Sequence, residues 1–368
     1  MENKIRYVLG ISGGKDSAAL AIYLKDKYPQ LNIEYYFCDT GKELDETYML
    51  IKNLEVYIGK TITRLEAGKY SHEPPFDHFL KLYGGYLPSS NSRWCTRKLK
   101  LEPFERFVGD DPVISYVGIR GDEDREGYIS KKPNIQSIFP FRKNIWSEDV
   151  INKALKNDNI LVLANLYEKH VDKAMTKRVL EIVNEPISSN FPQTDKLNTL
   201  LDLGINVFNK VVFDFLKTIQ YPLSYVNDFL LLDNEDILVR DDIFRILRES
   251  GVGVPKYYEK VEFEINGKKG EYARSRSGCF FCFFQQKIEW VWLYEQHPDK
   301  FKMAMEYEKD GYSWIQNERL KDIIKPERKR QIKEEQLKHA ARNINKKSPY
   351  LLDILDEAEG EGCAACFI

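Results

Sequence analysis

The stretch Ser12-Gly13-Gly14-Lys15-Asp16-Ser17 puts two glycines, two hydroxyls and a lysine between two apolar segments, Tyr7-Val8-Leu9-Gly10-Ile11 and Ala18-Ala19-Leu20-Ala21-Ile22-Tyr23-Leu24. Glycines let a backbone turn tightly and bring several N–H groups to one point. A helix opening at this place adds its unpaired first-turn N–H groups and the positive end of its dipole. Lys15 adds a full charge, and Ser12 and Ser17 add donors. Together these groups make an anion cradle, suited to phosphate or sulfate. The spacing is not the GxxxxGK[ST] of a Walker A loop. The plainer alternative is a glycine-rich turn that binds nothing.

The second chemically capable set is the cysteines, six in all. Cys279-Phe280-Phe281-Cys282 is a CxxC among aromatics, preceded by Arg276-Ser277-Gly278. Cys95 lies far upstream in Trp94-Cys95-Thr96-Arg97-Lys98-Leu99-Lys100, and Cys363 and Cys366 lie in Glu361-Gly362-Cys363-Ala364-Ala365-Cys366. In a cytoplasmic protein such residues read as metal, cluster or redox groups rather than disulfides. Thiolates suit iron–sulfur clusters and zinc. A CxxC alone also suits a thiol redox pair, which would leave Cys95 unexplained.

These groups need elements to position them. An apolar run as short as 7–11 reads as a buried strand, and residues 18–24 read as a helix with an apolar face. Further strands are expected at 33–37, 61–65 and 113–119, with a helix over 45–56. Strands alternating with helices predict an α/β fold, a doubly wound, Rossmann-like parallel sheet. Ligands of such sheets sit beyond the carboxyl ends of the strands. Three loops should therefore converge: residues 12–17, Cys38-Asp39-Thr40-Gly41-Lys42-Glu43, and Arg120-Gly121-Asp122-Glu123-Asp124-Arg125. An Asp-Thr-Gly at a strand end can hold a ribose, an adenine edge or a metal, or Asp39 can cap the next helix. Arginines suit oxyanions through paired planar hydrogen bonds, although a charged loop can also be merely solvated.

The six-residue loop resembles the PP-loop, S-G-G-x-D-S, of ATP pyrophosphatases and phosphoadenosine-phosphosulfate (PAPS) reductases, matching at every specified position. Asp39-Thr40-Gly41 with Glu46-Thr47-Tyr48 is similar to the D-T-G and E-T-Y of those reductases. Gly118, Arg120 and Glu123 match their next motif, while Asp124 replaces its serine and Arg125 falls early. The resemblance implies an adenine nucleotide alpha hydrolase-like fold. It implies nucleotide binding by Ser12, Gly13, Gly14, Lys15, Asp16, Ser17, Asp39, Thr40, Gly41 and Arg120, with ATP and Mg²⁺ as cofactors. It assigns catalytic roles to Lys15, Asp16 and Arg120. In the same family a cysteine before K-x-x-P, here Lys100-Leu101-Glu102-Pro103, and a later R-S-G-C-x-x-C bind one [4Fe–4S] cluster. Cys95, Cys279 and Cys282 are the implied ligands, zinc being the alternative metal. Relatives with two adjacent cysteines have a fourth thiolate where this chain has Trp94. One iron without a protein thiolate is the arrangement of tRNA-thiolating relatives. Cys363 takes the place, though not the E-C-G-x-H sequence, of the reductases' nucleophilic tail.

The resemblance covers roughly 5–150 and 240–290. Residues 1–154 are read as a PP-loop α/β domain and 155–234 as a mostly helical insertion with enough apolar residues for its own core. Residues 235–290 return to the main domain with the CxxC, 291–347 form a basic helical region, and 348–368 a mobile cysteine-bearing tail. Trp146-Ser147-Glu148-Asp149-Val150 resembles the family's helix start, whose sequel resumes at Asp242-Ile243-Phe244-Arg245 and Pro255-Lys256-Tyr257-Tyr258. Trp290, Trp292 and Tyr294 read as core rather than as base-stacking platforms.

Composition bounds the remainder. A 43% hydrophobic and 30% charged chain is that of a soluble globular protein. No run has the length of a membrane span, and MENKIRY lacks a signal-peptide shape, so a cytoplasmic location without membrane association is expected. A net charge of −2 gives no global pull toward nucleic acid. Residues 319–347, however, hold 11 Lys or Arg against 4 Asp or Glu, and a helix there could offer a basic face to phosphates or be laced with local ion pairs. The resemblance is nearest the enzymes of bacterial DNA phosphorothioation, a phage-defence modification. It implies an ATP-dependent, pyrophosphate-releasing sulfurtransferase with a cysteine desulfurase as sulfur donor and DNA as acceptor. tRNA thiolation and PAPS or adenosine-phosphosulfate (APS) reduction are the alternatives.

Overall fold

The computed structural model describes residues 5–68, 71–123, 130, 132–309 and 311–345. Arg125, Cys363 and Cys366 lie outside these. The chain opens with β1 (Arg6–Gly10), α1 (Lys15–Lys27), β2 (Ile33–Asp39), α2 (Asp45–Ile58) and β3 (Thr63–Glu66). It continues through α3 (Pro75–Leu82), a short α4 (Trp94–Thr96), a π-turn over Arg97–Leu101, α5 (Glu102–Val108), β4 (Val113–Tyr116) and β5 (Ile135–Ile138). The five strands form one parallel sheet in the order β3-β2-β1-β4-β5. The order reverses between β1 and β4, so the loop after β1 opens at the topological switch point, where such sheets bind ligands.

Alternation along the strands assigns two faces. Leu9, Tyr35, Phe37, Ile114 and Tyr116 join α1 and α2 in the larger core. Val8, Tyr36, Cys38 and Val113 pack on the other side against Phe104 and Val108 of α5. Helices on both faces make this the expected doubly wound sheet. β4 is shorter than expected because 117–120 leave the ladder as they approach the loop end, although Val117 N–H still donates to Ile138 O at 2.9 Å. β5 had no sequence signal, being a four-residue run.

Next come α6 (Glu148–Ala154), α7 (Ile160–His170), α8 (Lys173–Asn184), α9 (Gln193–Leu203) and α10 (Ile205–Leu216). The separate core expected for this helical stretch is not formed. Leu163, Leu200, Val212 and Phe213 belong to the same cluster as the sheet. The join is tied by buried Asn209, which accepts from Trp146 Nε1 at 3.0 Å and donates to Leu232 O at 3.3 Å. An unsatisfied amide there would be costly, so this contact fixes how the stretch docks.

α11 (Arg240–Glu249) then packs on α1. The hairpin β6 (Val261–Ile265) and β7 (Lys268–Tyr272) turns at Asn266-Gly267, both at positive φ, as a two-residue hairpin loop requires. α12 (Lys287–Gln296), α13 (Pro298–Glu306), α14 (Leu320–Ile323) and α15 (Pro326–Asn345) complete the described chain. Trp290 and Trp292 are core residues, as their sequence suggested, in a second cluster with Phe76, Trp94, Phe280 and Phe281. The basic run on α15 is largely spent on neighbours. Arg328 pairs with Glu318 at 2.6 Å, Arg330 with Glu334 at 2.9 Å, and Lys329 and Lys333 both with Glu295. Among the described residues no helix is long and apolar enough to cross a membrane.

Candidate functional site

The loop after β1 is shaped by its smallest residues. Gly13 has φ +75°, and a Cβ there would stand 2.2 Å from Thr47 Cγ2, so only glycine fits. Gly14 is the N-cap of α1. Ser12 and Ser17 close the loop: Ser12 N–H donates to Ser17 Oγ at 3.1 Å, Gly14 N–H to Ser12 Oγ at 3.3 Å, and Ser17 Oγ–H to Gly14 O at 3.2 Å. The helix N-terminus and Lys15 thus share one small volume, as an anion cradle needs.

The charges around it are closely paired. Lys15 Nζ lies 3.1 Å from Asp16 and 5.3 Å from the ring centre of Tyr258. Asp16 also takes Arg120 Nη1 at 3.0 Å. Burial pushes the Asp16 carboxyl up, but Lys15 and Arg120 outweigh it and hold the group below its usual range. Arg120 is fully buried, with Nη1 on Glu123 at 2.7 Å and Nε on Asp122 at 2.8 Å as well. The sequence suggested a guanidinium presented to an oxyanion. Among the described residues three carboxylates stand against it, and these contacts hold Asp16 and the 120–123 turn in place.

Asp39 ends β2 and anchors the second loop. Its Oδ1 accepts from Gly41 N–H at 2.8 Å and from Tyr48 O–H at 2.9 Å. Thr40 Oγ1 donates to Glu43 Oε1 at 2.6 Å and sits 3.1 Å from Cys279 Sγ. Glu43 bridges to Cys279 through the backbone, and Phe280 N–H donates to Lys42 O at 2.9 Å. Burial, then Asp39, pushes Glu43 up to about 7. The loop expected to hold nucleotide is therefore also the seat of the CxxC.

Cys95, Cys279 and Cys282 line one pocket, half open to solvent, together with Thr40, Lys100 and Ser277. Its remaining wall is largely aromatic, from Phe76, Phe281, Phe283 and Phe284. The sequence separation of these cysteines gave no geometric reason for them to meet. The fold brings them together because α4 and the 275–282 segment pack on the same core. That segment is held from below by Glu289, which accepts from Ser275 N–H at 2.7 Å and Ser275 Oγ at 2.9 Å. Burial, then Glu43, pushes the Cys279 thiol well above its usual range. Among the described residues no three His, Cys, Asp or Glu stand at metal-holding spacing in this arrangement. As a donor set, three thiols about one apolar-walled pocket suit a soft metal or an iron–sulfur cluster. Cys38 is not in the pocket. Burial raises its thiol to about 12, and its Sγ lies 3.6 Å from Lys100 O.

Several contributors carried no assigned role in the sequence. Tyr257 O–H donates to Gly13 O at 2.8 Å, and Tyr258 Oη accepts from Lys15 N–H at 3.4 Å. Ser277 Oγ would lie 2.6 Å from a Cβ on Gly14. Glu43, Thr47 and Glu289 act through contacts that only folding creates. Tyr257, Tyr258 and Ser277 were visible as parts of motifs, but their partners were not.

Comparison with known proteins bears on the first half of the chain. Residues 6–174 match the phosphoadenosine phosphosulfate reductase domain. Over this stretch, a little under half of the chain, the protein is similar to that domain and to the wider PP-loop superfamily. Two uncharacterized proteins of Methanocaldococcus jannaschii are similar to it. MJ0066 is 32% identical over 180 residues, 45% of this chain and 34% of that protein. MJ0973 is 25% identical over 174 residues, 44% of this chain and 38% of that protein. The chain spans just over a third of the length of these curated relatives.

Proposed function

We propose that this protein is an ATP-dependent sulfurtransferase that activates an acceptor oxygen by adenylation. ATP at residues 12–17 loses pyrophosphate to the acceptor oxygen's attack, and a sulfur nucleophile then displaces AMP. The carrying observation is the shared wall between the two halves of the site: Ser277 packs on Gly14, and Thr40 touches Cys279. A nucleotide in the cradle and sulfur at the thiols would be neighbours.

Lys15, the loop N–H groups and the α1 dipole supply fixed positive charge toward a departing pyrophosphate. Asp16, held by Arg120, orients Lys15. Mg²⁺ would add further neutralisation of that charge, and Asp39 is the carboxylate we assign to it or to the ribose. A [4Fe–4S] cluster at Cys95, Cys279 and Cys282, with zinc as the alternative, would supply a site that holds sulfur for transfer. We assign DNA as the acceptor, in backbone phosphorothioation, a cysteine desulfurase as donor, and the cytoplasm as the location. tRNA is the second acceptor. Cys363 remains our candidate relay thiol.

The decisive experiment is anaerobic purification followed by pyrophosphate release from radiolabelled ATP, with DNA, tRNA or no acceptor. Release that depends on acceptor and disappears in Lys15→Ala is expected. Binding of PAPS or APS with no ATP binding would overturn the reading in favour of sulfonucleotide reduction, to which the matched domain also points. In cells, deletion of the gene should remove phosphorothioate dinucleotides from digested DNA.

A further inference from the structure

The α15 helix carries the densest run of cations, but Arg328, Lys329, Arg330 and Lys333 there are paired with carboxylates. The sequence from 78 to 101 contains five Lys or Arg and no Asp or Glu. It runs from the second half of α3 through the following turn, across α4 with Cys95, and into the π-turn. Leu82, Tyr83 and Tyr86 on this turn are 67%, 40% and 39% exposed, and Tyr312 opposite them is 39% exposed.

These rings form one connected surface at the edge of the cysteine pocket. The Tyr83 ring stacks on Trp94 at 5.2 Å between centroids, and Trp94 Nε1 donates to Tyr86 O at 3.0 Å. The Tyr86 and Tyr312 rings meet edge to face at 5.2 Å. Trp94 precedes Cys95, and Pro88, just after Tyr86, lines the pocket itself. Cations are set among the rings. The Arg93 guanidinium lies 5.0 Å from the ring centre of Phe284, another pocket residue. Lys309 Nζ would lie 2.5 Å from a Cβ on Gly85, so the amine rests on the side-chain-free turn between Tyr83 and Tyr86. Arg97 and Lys98 share the carboxylate of Glu102. Among the described residues neither Arg93 nor Lys309 is in an ion pair, in contrast to Arg328, Lys329 and Arg330.

Half-exposed aromatics interleaved with unneutralised cations suit a polyanion with accessible flat faces. We infer that Tyr83, Tyr86, Tyr312, Arg93 and Lys309 form a docking rim for a single-stranded stretch of nucleic acid. Bases stack on the tyrosines and phosphates meet the cations. The strand would bring its backbone to the mouth of the cysteine pocket. The inference rests on the sulfurtransferase reading for its purpose but not for its binding chemistry.

The test is fluorescence anisotropy on the anaerobically purified full chain, with a labelled DNA strand of about 20 nucleotides, longer than such grooves generally occupy. The same sequence as RNA and as duplex DNA forms the other arms. Tighter binding of a single strand than of the duplex is expected, and the two single-strand arms identify the polymer. Tyr86→Ala and Tyr312→Ala should each weaken it by roughly fivefold or more, the effect of losing one base–aromatic stack. Tyr312→Phe, which keeps the ring, should bind as the wild type does. Arg93→Glu, at an exposed position that spares the core, should reduce the salt dependence by about one phosphate contact. Wild-type binding by the Tyr86→Ala/Tyr312→Ala double variant, or a loss confined to Arg328→Glu/Lys329→Glu/Arg330→Glu, would overturn the rim. Calorimetry with ATP is run on the same samples. Absent ATP binding with intact strand binding would remove the sulfurtransferase reading and leave the rim standing.

Discussion

Ser277 and Gly14 are in contact across the interior of the site: a Cβ on Gly14 would stand 2.6 Å from Ser277 Oγ and 3.3 Å from Ser277 Cβ. The backbone of Gly14 is extended, so a side chain is excluded by this neighbour and not by its dihedral angles. Gly14→Ala should therefore cost about 1–3 kcal/mol, the range for overpacking a closed site. It should also weaken nucleotide binding. Ser277→Ala removes the hydroxyl and should restore most of both losses in the double variant. Chemical denaturation and calorimetry with ATP measure them. An additive double variant would show that the two segments do not press on each other.

Arg120 offers a sharper contrast between support and binding. Removing it leaves Asp16, Asp122 and Glu123 facing one another in a buried space. Breaking such an arrangement costs about 3–5 kcal/mol. Arg120→Ala should lower the melting temperature substantially before any effect on nucleotide can be assessed. Lys15→Ala, which leaves Asp16 paired with Arg120, should cost little stability and mainly reduce ATP affinity. Equal melting temperatures for the two variants would refute this division of labour.

The cysteine pocket makes a prediction read by metal analysis. Anaerobically purified protein should contain iron and labile sulfide, lost in Cys95→Ala, Cys279→Ala or Cys282→Ala and retained in Cys38→Ala. Lys15→Ala should keep its iron, because the cradle lies outside the pocket. Stoichiometric zinc without iron under strict anaerobiosis would replace the cluster with a zinc site.

Glu318 should report on acid stability. Its carboxyl is held down to about 2, chiefly by the hydrogen bond from Arg328, with Lys287 assisting. A carboxyl depressed in the fold stabilises above its ordinary pKa and loses that contribution as pH falls through the folded value. Glu318→Gln should therefore lower stability at pH 7 by roughly 1 kcal/mol, a figure reduced for partial solvent screening. The gap to wild type should close between about pH 4.5 and 2. Thermal melts across that window measure it. Arg328→Glu should be more damaging still, since it sets two carboxylates together.

Much of this architecture could be read directly from residue order. The cradle at 12–17, the alternating strands and the helix after Asp45 come from local chemistry that the fold does not alter. β5 escaped notice because four residues carry too short a period to separate a strand from a loop. The merged core of the helical stretch was hidden because apolar periodicity identifies a face but not its partner; Asn209 beneath Trp146 selects that partner. In sequence Arg120 reads as an anion ligand because a guanidinium pairs with oxyanions and because it matches a motif of the resembling family. Its burial among Asp16, Asp122 and Glu123 depends on β1 and β4 lying side by side. The choice left open for the basic run on α15 could not be made from residue order, since Glu295 and Glu318, which pair with Arg328, Lys329 and Lys333, come from outside the helix.

The three pocket cysteines also set a timetable for synthesis. Cys95 belongs to the early part of the chain, whereas Cys279 and Cys282 come after the whole helical stretch between them. At ordinary translation rates the gap is roughly 10–40 s. During that interval Cys95 and the aromatic surface around Trp94 wait on the ribosome without the walls that later enclose them. The complete thiol set is therefore a late product, and an mRNA truncated before residue 279 yields a chain with the cradle sequence but only a third of that set.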